Sequence, residues 1–209
     1  MKLLAREALV KTGDVDHAAW NYDGLLGFVA RRRFHMALAL MPPEPVETLL
    51  EIGYGSGVFM PELAAHTHRL VGADVHRHAG DVERALCAAG VSANLVTAPA
   101  ELLPFPNESF DVVVVISAFE FVSDPVLAAD EISRVLRPRG RAIVVTPGAT
   151  PVLDLALRVL SGADPRKDFG RRREAVIPAL CSRLRLERII AFPPLVWPKM
   201  YRALQLGKP

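Results

Sequence analysis

Short apolar runs alternate with amphipathic stretches along the chain. Five runs rich in β-branched residues span residues 47–53, 69–75, 93–98, 110–117 and 140–148. Their length and continuous apolar character predict strands that are buried on both faces, as in a parallel sheet. Apolar residues three and four apart predict helices over 56–68, 78–90 and 124–138, and the last has Asp124 as its N-cap before Pro125. We therefore expect five successive βα units.

The two ends of the chain predict further elements. Residues 16–43 have a helical pattern that breaks between Asn21 and Gly24 and ends at two prolines. After the fifth strand, residues 151–162 and 171–184 predict helices, and residues 185–192 and 200–206 predict two strands that pair as an antiparallel hairpin at one sheet edge. The expected fold class is α/β, a doubly wound, seven-stranded, mostly parallel sheet with helices on both faces.

Length and composition narrow the class of protein. The 209 residues suit one domain. Cys87 and Cys181 are far apart and match no metal or redox spacing, so we expect no disulfide framework, and a reducing cytoplasm fits best. The N-terminus lacks the apolar run of a signal peptide, and no segment reaches the roughly 20 apolar residues of a spanning helix. Two His-x-His pairs, 66–68 and 76–78, flank different strands without further ligands, so no metal is expected.

Charge is distributed unevenly although the net charge is only +2. Residues 1–123 hold 9 Lys and Arg against 15 Asp and Glu, whereas residues 124–209 hold 16 against 8. Basic triplets lie in "ARRRF" (30–34) and "GRRRE" (170–174). They fit a solvated helical face, a peripheral contact with anionic lipid headgroups, or a contact with RNA phosphates. The solvated face is favoured, and nucleic acid is disfavoured because no exposed aromatic residues interleave the arginines.

The turn after the first strand, "LLEIGYGSGVF", carries the strongest chemical information. Gly53, Gly55 and Gly57 allow a ligand to approach the backbone where open α/β sheets bind ligands. A dinucleotide fingerprint requires glycine at position 58, where this chain has valine. Glu51 beside the turn repels phosphate and favours a cation, and Asp74 at the end of the second strand suits ribose hydroxyls. The predicted ligand is a positively charged nucleoside without phosphate.

Four motifs in order resemble one known family. "EIGYGSG", "GADV", "AELLPFPNESFDVVVV" and "EISRVLRPRGRAIVV" lie within residues 46–148. Together they resemble the class I S-adenosylmethionine-dependent methyltransferases, in the branch of small enzymes with an "LPF…SFD" signature. The resemblance implies a Rossmann-like fold and S-adenosylmethionine as cofactor, with S-adenosylhomocysteine as product. It also implies one domain over 1–209, with an N-terminal helical cap (1–45), a cofactor-binding core (46–148), and lid helices with the edge hairpin (149–209).

The same resemblance implies roles for individual residues. The methionine part of the cofactor would contact Glu51, Gly53, Tyr54, Gly55 and Gly57. The ribose would contact Asp74, and one face of the adenine would contact Val75. The edge of the adenine would meet Ala100 and Glu101, and the region of the sulfonium would meet Ser117. Two positions depart from the family pattern, since Pro99 replaces a frequent aspartate and Phe121 replaces a histidine that many relatives carry. The candidates for a general base are therefore Glu120, His35 and Tyr22.

The predicted function is methyl transfer to an O, N, C or S nucleophile of a small, apolar or lipid-like molecule, such as a quinone precursor or secondary metabolite. Catalysis would come mainly from in-line positioning of the nucleophile. An RNA or lipid-headgroup methyltransferase and a cofactor-binding module without catalysis remain alternatives. An NAD-dependent oxidoreductase is disfavoured by Val58 and Glu51. The sequence predicts no oligomeric state.

Overall fold

Seven strands form one sheet in a computed structural model that describes residues 1–13, 16–148, 172–194 and 199–208. The sheet order is β3-β2-β1-β4-β5-β7-β6. The strands are β1 Val46–Ile52, β2 Thr67–Asp74, β3 Asn94–Thr97, β4 Phe110–Ile116, β5 Leu136–Pro147, β6 Arg185–Phe192 and β7 Tyr201–Gly207. The first five are parallel, and β7 runs antiparallel to both β5 and β6. The predicted fold class and edge hairpin are confirmed.

Helices cover both faces of the sheet. The α-helices are α1 Gly24–Leu38, α2 Met60–Leu63, α3 Ala79–Ala88, α4 Pro125–Val135 and α5 Arg172–Cys181. Short 3₁₀ helices cover Arg6–Ala8, Ala18–Tyr22, Ala64–His66 and Phe119–Phe121. The predicted break near Asn21 is confirmed, because a 3₁₀ helix ends at Tyr22 and α1 begins two residues later. The helix predicted over 151–162 lies outside the described residues.

The helix predicted over residues 56–68 is wrong in extent. Only Met60–Leu63 is α-helical, followed by a 3₁₀ turn, and Thr67 already pairs with Val46 of β1. Gly57 has a φ of 71°, which lies outside the helical region and delays the start of α2. The apolar spacing in this stretch therefore arises from a turn, one helical turn and the start of a strand that follow one another.

The expectation of five βα units is also wrong, because no helix lies between β3 and β4 in residues 98–109. Pro99, Pro104 and Pro106 lack the backbone donors that a helix requires. The segment is held from α4 instead: Arg134 donates to the carbonyl of Phe105 at 2.7 Å and to that of Leu103 at 3.0 Å. This loop is fixed at the sheet edge by side-chain hydrogen bonds.

The core has two layers, one on each side of the sheet. Because side chains alternate along a strand, Leu49 packs on the layer that includes Phe34 of α1, and Leu50 packs on the layer that includes Ile132 of α4. Phe34 stacks on Phe59 with ring centroids 4.4 Å apart. The same alternation directs Glu51 toward the α1 side, two residues after Leu49.

The carboxyl ends of β1, β2, β3, β4 and β5 meet at one edge of the sheet, where open α/β sheets bind ligands. The antiparallel strand β7 begins at this edge, since Tyr201 pairs with Pro147 at the end of β5. Phe192 at the end of β6 pairs with Tyr201 in turn. The topology thus adds residues of the hairpin to the predicted ligand-binding edge.

Replacing Asp124 with alanine tests the cap that begins α4. Its Oδ1 atom accepts hydrogen bonds from the backbone N–H groups of Val126 at 3.0 Å and Leu127 at 3.1 Å. We expect the alanine variant to lose about 1 kcal/mol of unfolding free energy in urea denaturation. Asp124→Asn retains an acceptor and should keep most of that stability. Equal losses in both variants would contradict the capping role.

Candidate functional site

The glycine turn after β1 lies directly against the end of β4. Gly53, Gly55 and Gly57 have φ values of 75°, 52° and 71°. A Cβ atom added to Gly53 would lie 2.2 Å from the Cβ atom of Ala118, so no larger residue fits there without movement. The backbone N–H of Gly53 donates to the carbonyl of Ala73 in β2 at 2.8 Å. This turn therefore joins the ends of three neighbouring strands.

Glu51 is a buried carboxylate that lacks a partner. Glu51 is only 4% exposed, and its Oε2 atom has no hydrogen-bond partner among the described residues. Burial, reinforced by the nearby negative charge of Asp74 and opposed by Arg33, raises the pKa of Glu51 to about 8. Because an ionised carboxylate is unfavourable in such a place, the site favours either a proton or a bound cation.

Asp74 at the end of β2 holds the glycine turn. Its Oδ2 atom accepts from the backbone N–H of Gly55 at 2.8 Å, and its Oδ1 atom accepts from the backbone N–H of His76 at 3.4 Å. The Nε2 atom of His76 lies 3.0 Å from the carbonyl of Gly55, and the ring of Tyr54 meets that of His76 edge-on at 4.9 Å. Asp74 retains lone pairs for a ligand while it fixes the turn.

Two apolar side chains are exposed beside this turn. Val75 is 69% exposed and follows β2, and Leu102 is 73% exposed and belongs to the loop after β3. The two segments adjoin, because the backbone N–H of Ala98 donates to the carbonyl of Asp74 at 2.8 Å. The sequence prediction included Val75 and missed Leu102. Its position in the "AELLPF" motif was the available signal.

Ala100 and Glu101 lie in the loop between β3 and β4, and both are tied to the α4 side of the sheet. Ala100 is buried in the core layer of α4. The Oε1 atom of Glu101 accepts from the backbone N–H groups of Ser123 at 2.8 Å and Asp124 at 3.2 Å. The carboxylate of Glu101 therefore ties this loop to the start of α4.

Ser117 and Tyr54 present buried oxygens without partners among the described residues. Ser117 follows β4 with a φ of 52°, a backbone conformation that non-glycine residues adopt mainly at special sites. Burial, with Asp74 and Glu83 as smaller causes, raises the pKa of the Tyr54 hydroxyl. Both oxygens belong to segments at the same sheet edge as Glu51.

The three candidate bases have different surroundings. Glu120 is 1% exposed, and its Oε2 atom has no hydrogen-bond partner among the described residues. Burial raises the pKa of Glu120 to about 7. A hydrogen bond from its own backbone N–H and the positive charges of Arg33 and Arg173 oppose this rise. By contrast, the Tyr22 hydroxyl donates to the carbonyl of Leu4, so it anchors the N-terminal segment. Of the three candidates, Glu120 therefore has a buried carboxylate oxygen, Oε2, that lacks a hydrogen-bond partner among the described residues.

His35 lies apart from that edge. Its side chain is exposed in the last turn of α1. Partial burial and the positive charges of Arg32, the N-terminus and Arg31 lower the pKa of His35, and Glu62 opposes them. None of the groups at the strand ends contributes to its titration.

Sequence reasoning missed the inward arginines of the two basic triplets. The Nε atom of Arg33 is buried, and Arg173 is 6% exposed and donates to the carbonyl of Gly148 at 2.9 Å. The interpretation of both triplets as wholly solvated faces is therefore wrong. Helical spacing was the available signal, because Arg33 lies three residues after Ala30 and four before Ala37, which are both buried.

Within the described ranges, no three His, Cys, Asp or Glu side chains are grouped so that they would hold a metal ion. No helix in the described part of the chain has the length and apolar character needed to cross a membrane.

The fold and the sheet-edge site define a Rossmann-like α/β domain of the methyltransferase type, and comparisons with known proteins agree. The family profile described as a methyltransferase domain matches residues 50–144. The crystal structure of the N-methyltransferase NodS from Bradyrhizobium japonicum in complex with S-adenosylhomocysteine is similar in fold, with a TM-score of 0.67 at 20% identity. The similarity covers 93% of this chain and 94% of the NodS chain. The [4+2]-cyclase SpnF has a TM-score of 0.69 at 16% identity, with coverage of 86% and 82%.

Two curated relatives are similar in sequence. A demethylmenaquinone methyltransferase of Clavibacter sepedonicus is 34% identical over 66% of this chain and 52% of the relative. A ubiquinone/menaquinone biosynthesis C-methyltransferase, UbiE, of Vibrio campbellii is 29% identical over 71% of this chain and 61% of the relative. The matches thus span between about half and three fifths of these relatives' length. These comparisons support the class I S-adenosylmethionine-dependent methyltransferase that the motifs predicted.

Replacing Gly53 with alanine tests the close approach of the turn to β4. Gly90 is a matched control, since it has the same φ of 75° but no atom within 4 Å of an added Cβ. We expect Gly90→Ala to lower the unfolding free energy by about 1 kcal/mol through backbone strain alone. Gly53→Ala should lower it by about 1 to 3 kcal/mol more, because the new methyl group overlaps Ala118. Equal losses in thermal or urea unfolding would contradict this contact.

Proposed function

We propose that the chain transfers the methyl group of S-adenosylmethionine to a small-molecule acceptor. The observation that carries the proposal is the buried, unpaired carboxylate of Glu51 beside the glycine turn. A cofactor with an ammonium group and a sulfonium supplies the positive charge that this carboxylate lacks. The match to the methyltransferase domain profile supports the same cofactor.

The remaining groups at the sheet edge fit the rest of this cofactor. Asp74 has carboxylate lone pairs for the ribose hydroxyls, and exposed Val75 and Leu102 provide apolar surface for the two faces of an adenine. The unpaired oxygens of Tyr54 and Ser117 would contact the methionine part, together with the backbone of Gly53, Gly55 and Gly57. Ala100 and Glu101 would line the adenine edge through the loop that Glu101 holds in place.

The bound cofactor supplies a methyl group that its sulfonium already activates. The chain orients the acceptor in line with that methyl group, excludes water, and accepts a proton when the nucleophile carries one. Glu120 is the proposed proton acceptor, because its unpaired oxygen is buried at the same edge and its pKa of about 7 suits a base at neutral pH.

The curated relatives favour an apolar ring as the acceptor. Their names describe methyltransferases of menaquinone and ubiquinone biosynthesis, and on that basis we propose a quinone-like or other apolar small molecule. The buried Nε atom of Arg33 and the burial of Arg173 leave fewer arginines of the two triplets facing solvent, which weakens the RNA and lipid-headgroup alternatives. The unpaired oxygen of Glu120 favours catalysis over a module that only binds the cofactor.

Calorimetry with S-adenosylhomocysteine tests the role of Glu51. With a pKa of about 8, Glu51 is protonated in the free protein at pH 7, and an ammonium partner would favour its ionised form. We expect binding near pH 7 to release close to one proton, measured in buffers of different ionisation enthalpy. The release should fade above pH 8, where the free protein has already lost that proton.

Two variants separate this linkage from nonspecific effects. Glu51→Gln should abolish the proton release and weaken binding on the order of 10- to 100-fold, the value of a lost charged hydrogen bond. Glu47→Gln is the matched control, because Glu47 is an exposed carboxylate of the same strand. Unchanged binding by the Glu51 variant would exclude its contact with the amino group.

The pH profile of methyl transfer tests Glu120. Labelled cofactor and a metabolite extract provide the assay, with the product identified by mass. Because the base form must be ionised, the rate should rise with pH through about 7 and then level. Glu120→Gln should remove this rise and lower the rate by about 100-fold or more. His35→Ala should leave the profile unchanged, and a profile that follows His35 instead would contradict the assignment.

A further inference from the structure

Arg33 is a partly buried arginine without an ionic partner in the described part of the chain. Its Nε atom is buried and makes no hydrogen bond to a described residue. Its guanidinium carbon lies 4.8 Å from the ring centroid of Phe34, a contact that satisfies none of its donors. Because buried charged groups are normally paired, this Nε atom is available to a group that accepts a hydrogen bond.

The fold packs helix α1, which carries Arg33, against the strand that leads to Glu120 and the strand that begins at Tyr201. Helix α1 packs across β4, β5 and β7, and Glu120 follows β4 while Tyr201 begins β7. The neighbouring Arg32 lies over the ring of Phe192, which pairs with Tyr201. Burial raises the pKa values of Glu51, Glu120 and Tyr201, and in each case the positive charge of Arg33 opposes that rise.

Glu120 and Arg33 have opposite charges but do not form a salt bridge within 4.0 Å. Glu120 has an oxygen that accepts, and Arg33 has nitrogens that donate. A group bridging them must therefore donate to the carboxylate and accept from the guanidinium at once. A hydroxyl does both and leaves a negatively charged oxygen when it loses its proton, whereas an ether only accepts. A neutral amine also has N–H donors and a lone pair, but it develops no negative charge for the guanidinium to stabilise.

We propose that Arg33, Glu120 and Tyr201 bind a hydroxyl group of the methyl acceptor, so that the acceptor is a phenol or enol rather than an amine. This inference rests on the proposed function and narrows it. In the proton-transfer step the O–H bond of the acceptor breaks, and its proton forms a new O–H bond with Glu120. The electron pair stays on the acceptor oxygen, where Arg33 and the Tyr201 hydroxyl stabilise the negative charge.

Three ring compounds of similar size test this inference in the presence of saturating S-adenosylhomocysteine. 4-Nitrophenol carries the hydroxyl, 4-nitroaniline replaces it with an amine, and 4-nitroanisole blocks it as an ether. The absorbance of 4-nitrophenol also reports whether the bound probe is ionised. We expect 4-nitrophenol to bind best, with its bound pKa lowered by about one to two units beside the guanidinium.

Variants of neighbouring arginines show whether Arg33 is responsible. Arg33→Met should abolish the ionised spectrum and weaken 4-nitrophenol binding at least about 10-fold. Arg33→Lys retains the charge and should keep part of the shift. Arg32→Met is the matched control, because it removes the same charge from the adjacent, exposed position of α1. Tyr201→Phe should reduce the pKa shift of the probe without affecting the binding of S-adenosylhomocysteine.

Binding of S-adenosylhomocysteine is measured first in every variant, and it separates two kinds of failure. If the wild-type protein does not bind S-adenosylhomocysteine, this result contradicts the proposed function itself. Normal binding of S-adenosylhomocysteine without binding of 4-nitrophenol would overturn the hydroxyl site alone. The site is also overturned if the amine or ether binds as tightly as the phenol, or if the Arg33 and Arg32 methionine variants behave alike.

Discussion

The buried carboxyl group of Glu51 is the constraint on which the site depends, because its Oε2 atom has no hydrogen-bond partner among the described residues. Glu51 lies on a central strand between two neighbours, so it cannot move into solvent without disrupting the sheet. Asp74 adds a second negative charge nearby, and Arg33 offsets it only in part. The free protein therefore keeps a proton on Glu51 near neutral pH. A ligand cation removes this penalty, which gives the binding site its preference for positive charge.

The same edge of the sheet brings together the groups proposed to bind the cofactor and the acceptor. Because parallel strands end side by side, the glycine turn, Asp74 and Ser117 lie at the same edge of the sheet, each directly after its own strand. The antiparallel strand β7 enters from the opposite direction and adds Tyr201. Helix α1 covers this side of the sheet and adds Arg33. In the proposed site, the cofactor motifs supply one part, and helix α1 with the hairpin supplies the part that would select the acceptor.

The sheet was predictable because its strands are long apolar runs bounded by turn residues, and the order of the motifs fixed the family. The extent of α2 was not, because glycines with positive φ break a helix without changing its apolar spacing. The loop before β4 was not predictable from the repeating βα pattern, because its three prolines lack the N–H donors that a helix requires. Arg33 was missed because a triplet of arginines suggests a solvated surface, although its three- and four-residue spacing from Ala30 and Ala37 indicates an inward position. The unpaired state of Glu120 depends on tertiary packing, which no local pattern records.

A structure of the protein bound to S-adenosylhomocysteine would test the central claim most directly. The account predicts that the amino group of the ligand lies within about 3 Å of the Glu51 carboxylate, as a charged hydrogen bond requires. It also predicts that the ribose lies beside Asp74. A complex in which Glu51 stays unpaired while the amino group binds elsewhere would contradict the account.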